Sequence, residues 1–146
     1  MNKSQFITQQ LKPYIENPSS CGYEVLKKEC QYLTEDGKMC VFGKNLIKPE
    51  EFNPNDSAGT LLDRYSESIL KPEAKKVNLA VDTWSDMQSI HDRVARVYYS
   101  ASFSDSGSIR MIRRVISLIE DRQEIHLDEL KDLISSFQNQ NYEKEK

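Results

Sequence analysis

The stretch Cys30-Gln31-Tyr32-Leu33-Thr34-Glu35-Asp36-Gly37-Lys38-Met39-Cys40-Val41-Phe42-Gly43 constrains this chain more than any other. Asp36-Gly37 sits between two short alternating runs and supplies the positive φ of a tight turn. The pattern predicts a β-hairpin over 28–44 with a cysteine on each strand. Loop length sets the register. A two-residue turn sends Cys30 and Cys40 to opposite faces. A three-residue loop, Glu35–Gly37, with Gly37 left-handed, puts Cys30, Tyr32, Cys40 and Phe42 on one face. The second is favoured, because it matches a type I turn followed by a bulge.

The other strong signals are helical. Phe6, Ile7, Leu11, Tyr14 and Ile15 mark an N-terminal helix within residues 1–20, with Pro13 weakening its last turn. Residues 44–59 read as a loop or pair of turns. A short helix is expected over 60–70, and 71–76 reads as a polar connection. Three helices follow over 82–138. Thr83 is the expected N-cap of the first, whose apolar stripe is Trp84, Met87, Ile90, His91, Val94, Val97 and Tyr98. That helix ends near Ser100, and Ser104–Ser108 separates it from the next. Ile109, Ile112, Val115, Ile116 and Ile119 mark the second; Leu127, Leu130, Leu133, Ile134 and Phe137 mark the third. Residues 139–146 form a polar tail expected to fray. The expectation is a single α+β domain over 1–146, mostly helical, with one small β-hairpin packed on about four to five helices.

Composition narrows the function. The 146 residues carry 38% apolar and 29% charged side chains at a net charge of −3. Bulk charge does not hold such a chain to nucleic acid, since counterion release needs clustered Lys and Arg. No apolar run reaches the roughly 18 residues of a membrane helix, and the N-terminus has no signal-peptide pattern. Three cysteines cannot all pair within one chain. The expectation is a cytoplasmic protein with free thiols.

Three motifs run together: Cys30-x-Tyr32, then Gly37-Lys38-x-Cys40-x-x-Gly43, then Trp84-x-x-Met87-Gln88-x-Ile90-His91-Asp92. They resemble a group of small, mostly uncharacterised bacterial and phage proteins with a Cys-x-Tyr…Gly-x-x-Cys-x-x-Gly hairpin and a later Gln-x-x-His-Asp helix. The likeness spans Cys30 to Asp92. It departs at Met87, where the group has leucine, and in the middle loop. It implies a phage or bacterial origin and no particular activity. It also suggests that His91 holds Tyr32 or a backbone group of the hairpin.

Candidate chemistry is sparse. Cys30, Cys40 and His91, with Cys21 or His126, are ligand types that zinc accepts, but the close Cys-x2–4-Cys pair of structural zinc sites is missing. Buried free thiols are the simpler reading, and no metal is expected. His91 and Asp92 are adjacent on a helix and do not face each other as a catalytic pair. No nucleophile elbow or phosphate-cradling glycine loop occurs, and no cofactor is expected. Arg93 and Arg96 on one helix, with Arg110, Arg113 and Arg114 on the next, form a basic stripe. Arginine forks bind carboxylate or phosphate, so these five are the candidate partner- or phosphate-binding residues. A solvated charged face is the plainer alternative.

These features favour a non-enzymatic binding protein of accessory type, which associates with and inhibits a host, toxin or defence protein. The alternative is a protein that sequesters a nucleotide or cyclic dinucleotide, with phosphate on the arginines and the base on Tyr32, Phe42 or Trp84. A weaker third is a metal-dependent enzyme using Cys30, Cys40 and His91.

Overall fold

The computed structural model describes the backbone of residues 1–99 and 106–144 and the side chains of 1–99 and 107–136. Among the described residues it is mostly helical, with seven α-helices and one two-stranded antiparallel hairpin. The expected helix end at Ser100, residues 104 and 105 of the expected Ser104–Ser108 break, the Phe137 side chain and the last two residues lie outside the described residues, while residues 106–108 are helical rather than a break.

The longest helix organises the rest. Val81–Tyr99 (α5) buries Trp84, Met87, Ile90, His91, Val94 and Val97, spaced to form one stripe. The cap falls earlier than the sequence suggests. Thr83 lies inside the helix, fully buried, and its hydroxyl accepts from Gln123 Nε2 at 2.8 Å. Ser106–Gln123 (α6) buries Ile109, Ile112, Val115, Ile116 and Ile119. It runs antiparallel to α5, because Arg122 near its end reaches Asp86 near the start of α5 at 2.7 Å. Asp128–Lys144 (α7) packs on α6 through Leu130 and Ile134. Its backbone stays helical into the stretch expected to fray.

Lys3–Glu16 (α1) lies against both α5 and α7. A capping box between Asn2 and Gln5 starts it, satisfying two backbone donors that the first turn leaves open. Pro13 is accommodated within it; burial of Tyr14 and Ile15 holds the last turn. Ala58–Tyr65 (α3) is capped by the Ser57 hydroxyl and packs on α5. Residues 66–69 tighten into a 3-10 turn rather than continuing the helix. Pro72–Val77 (α4) forms a helix where a connection was expected. Pro72 sits in its first turn, where the missing N–H costs nothing.

The hairpin falls earlier than predicted. Tyr23–Glu24 (β1) pairs with Glu29–Cys30 (β2), so Cys30 lies opposite Tyr23. The turn at Asp36-Gly37 does form, as the three-residue loop. Gly37 takes φ 88°, its N–H donates to the Thr34 carbonyl at 3.1 Å, and the Thr34 N–H donates to the Lys38 carbonyl at 2.8 Å. No strands extend from it. Val41–Lys44 (α2) is a helical turn with Cys40 as N-cap, the thiol sulfur accepting from the Gly43 N–H at 3.3 Å. Both strand registers for Cys30 and Cys40 are therefore replaced by a single-pass segment, residues 21–43, folded onto α5.

Candidate functional site

Segment 21–43 buries backbone N–H groups that its one short strand pair does not reach, and such groups need partners. Helix α5 supplies two. Gln88 and His91 share a face at i, i+3 spacing. Gln88 Oε1 accepts from the Phe42 N–H at 3.0 Å, and His91 Nε2 accepts from the Gly22 N–H at 3.0 Å. Asp92 ties the two together: its Oδ1 lies 2.8 Å from Gln88 Nε2 and 2.9 Å from His91 Nδ1. Gln88-x-x-His91-Asp92 is thus a strut between helix and segment. The backbone group that His91 holds is that of Gly22, which lies before the hairpin expected over 28–44.

Two glycines allow the segment to pass so close. A Cβ on Gly22 would sit 2.5 Å from the Cys40 nitrogen and 2.7 Å from the Gln31 carbonyl oxygen. One on Gly43 would press on Tyr32, 2.7 Å from its carbonyl carbon. Tyr14 completes the clasp. Its hydroxyl donates to the Met39 carbonyl at 2.7 Å, and its ring stands edge-on to His91 at 4.7 Å.

Cys30, His91 and Asp92 bring one ligand atom each to within 4.8 Å of one another. The imidazole does not suit a metal there. The Gly22 N–H occupies the Nε2 lone pair, so the ring proton sits on Nδ1 and points at Asp92. Ligation through Nδ1 would move that proton to Nε2, facing another N–H. The donor set shrinks to Cys30 and Asp92, too few for a zinc site. Cys40 is committed to the α2 cap, which separates it from the suggested Cys30–Cys40–His91 set.

The thiols are not activated nucleophiles. Burial pushes Cys40 up to about 12. Burial raises Cys21 well above the ordinary thiol range. Cys30 is raised by burial and then by the Asp92 carboxylate, to which it is hydrogen-bonded. Thiolate reactivity calls for the opposite environment.

Beside the strut lies a cleft of about 330 Å³. One wall is α5, presenting Ser85, Gln88, Ser89, Asp92, Arg93 and Arg96; the other is Cys30–Tyr32 with Pro54–Ala58. The Tyr32 hydroxyl donates to the Asp56 carbonyl, bracing the second wall. Thus the cleft gathers Cys30, Tyr32, Arg93 and Arg96 from the predicted set. Trp84 and Phe42 are elsewhere, packed edge-on at 5.8 Å and buried, so neither ring is available to stack on a base.

Of the five arginines, only Arg93 and Arg96 line the cleft; none on α6 does. Arg113 Nη2 donates to Ser135 Oγ of α7 at 2.9 Å, and Arg110 and Arg114 lie exposed on α6. Sequence reasoning did not single out Gln88 as a clasp for Phe42, Gly22 as the His91 partner, or Asn55–Ala58 as the opposite wall. Only Gln88 carried a signal, its i, i+3 spacing to His91.

Searches of protein-family models, curated proteins and solved structures found no match to this chain. Among the described residues, no helix is long and apolar enough to cross a membrane.

Proposed function

We propose that this is a non-enzymatic binding protein that recognises an acidic segment of a protein partner in the cleft along α5. The observation that carries the reading is the placement of Arg93 and Arg96, one helical turn apart, on the wall of a cleft whose framework is fixed by the Gln88–His91–Asp92 strut. Two forks at this spacing match carboxylates on every second residue of an extended chain, which share one face. Burial keeps the Cys30 thiol protonated and the Gly22 N–H occupies the His91 imidazole, so neither side chain favours a nucleophile or general base here. Binding that blocks the partner, in a cytoplasmic setting that keeps the three thiols reduced, completes the proposal.

The test is fluorescence anisotropy of a labelled peptide of alternating Glu and Gly residues, with adenosine monophosphate as competitor. The reading expects salt-sensitive binding that Arg93→Ala/Arg96→Ala reduces at least tenfold while Arg113→Ala leaves it unchanged. Displacement of the labelled peptide by the nucleotide at far lower concentration than by the unlabelled peptide supports the nucleotide alternative instead. Equal binding by wild type and the double variant overturns both.

A further inference from the structure

The outer face of α6 has a polarity that the cleft does not use. Met111, Arg114, Leu118 and Asp121 recur at spacings of three, four and three, the seam of a helix that packs on another helix. All four are exposed, Met111 by 37% and Leu118 by 45%. The buried stripe of α6 faces the opposite way, onto α5 and α7. Along the exposed seam the basic residue precedes the acidic one.

The geometry points to a second copy of this chain as the occupant, its α6 packed antiparallel on the first about a two-fold axis between Ser117 and Leu118. That axis places Arg114 of each copy opposite Asp121 of the other, giving two equivalent ion pairs. It places the two Leu118 side chains together at the centre, beside the small Ser117. An isologous contact requires such a self-complementary patch, in which residue i meets j and j meets i. An acidic partner of another kind would match Arg110 and Arg114 but would be repelled by Asp121. The neighbouring cation, Lys131, is bonded to Glu120 at 2.7 Å. Eighteen helical residues offer a strip only about 27 Å long. A single helix pair of that length falls at the small end of specific interfaces, so the dimer is weak and weakens with salt. This inference is independent of the cleft.

Sedimentation velocity of the full chain, from micromolar to millimolar concentration at low salt, tests it. Wild type is expected to shift from monomer toward dimer. Arg114→Asp and Asp121→Arg are each expected to remain monomeric, since each sets like charges across the axis. The double variant Arg114→Asp/Asp121→Arg is expected to recover the wild-type shift. Circular dichroism melting verifies that all four chains fold, which the exposure of both sites favours. A wild type that is monomeric throughout overturns the inference, as do a dimer that persists in either single variant and a double variant that fails to recover.

Discussion

The Gly22 N–H donates to His91 Nε2 at 3.0 Å across 69 residues of chain. This bond joins an irregular, buried segment to the longest helix, and it removes both ring nitrogens from metal or acid–base chemistry. His91→Ala leaves the Gly22 N–H unsatisfied and opens a void beside Tyr14. The two costs together amount to about 3–5 kcal/mol. Urea unfolding measures it; a loss below about 1 kcal/mol would mean that the strut contributes little.

The glycines separate by mechanism. Gly37 needs its positive φ but has nothing near its absent Cβ, so Gly37→Ala costs about 1 kcal/mol of backbone strain. Gly22→Ala and Gly43→Ala drive a methyl into backbone that cannot yield, and their melting temperatures fall well below that of Gly37→Ala. The reverse order in thermal melts contradicts the close passage of segment 21–43.

Trp84 is almost completely buried, edge-on to Phe6 at 6.0 Å and to Phe42 at 5.8 Å. It bridges α1, α2 and α5. Trp84→Ala is expected to cost about 3–5 kcal/mol, and Phe6→Ala in the same background less than it costs alone, because the partner ring is already gone.

Stability should fall in alkali. Cys21, Cys30 and Cys40 hold their protons in the fold well above the ordinary value of 9.0, Cys40 to about 12. The unfolded chain gives up those protons first, so this stability is whole below pH 9 and lost as pH rises beyond it. Each thiol contributes a slope of about 1.4 kcal/mol per pH unit. Lys44 opposes them. Burial lowers it from 10.5 to about 8, so its contribution grows between pH 8 and 10.5. Three thiols outweigh one amine, and the net slope above pH 9 is downward. Urea midpoints from pH 7 to 10.5 should show this, with Cys40→Ala flattening the curve and Lys44→Met steepening it. A flat profile contradicts the burial of the thiols.

Much of this was legible where local chemistry decides. The Gly37 loop, the α5 and α6 stripes and the inward aim of His91 all follow from spacing and turn stereochemistry. The hairpin position was not. Val41 and Phe42 alternate like a strand, yet Cys40 caps them into a helical turn because Gln88, 46 residues away, takes the Phe42 N–H. Tyr23 and Glu24 carry little strand pattern of their own and pair because Gly22 is pinned by His91. That Arg93 and Arg96 line the cleft while the α6 arginines do not was not legible, because sequence shows each helix's faces but not what packs beside them. The second wall of the cleft comes from Pro54–Ala58, whose place depends on the bond from Tyr32 to Asp56.

The most direct measurement is a long-range proton–nitrogen NMR spectrum of the histidine rings, recorded with and without zinc. The account predicts that His91 carries its proton on Nδ1, with Nε2 bare and shifted by its bond to Gly22, and that zinc leaves the pattern unchanged. A proton on Nε2, or a zinc-dependent shift of Nδ1, would contradict it and make Cys30, His91 and Asp92 a metal centre.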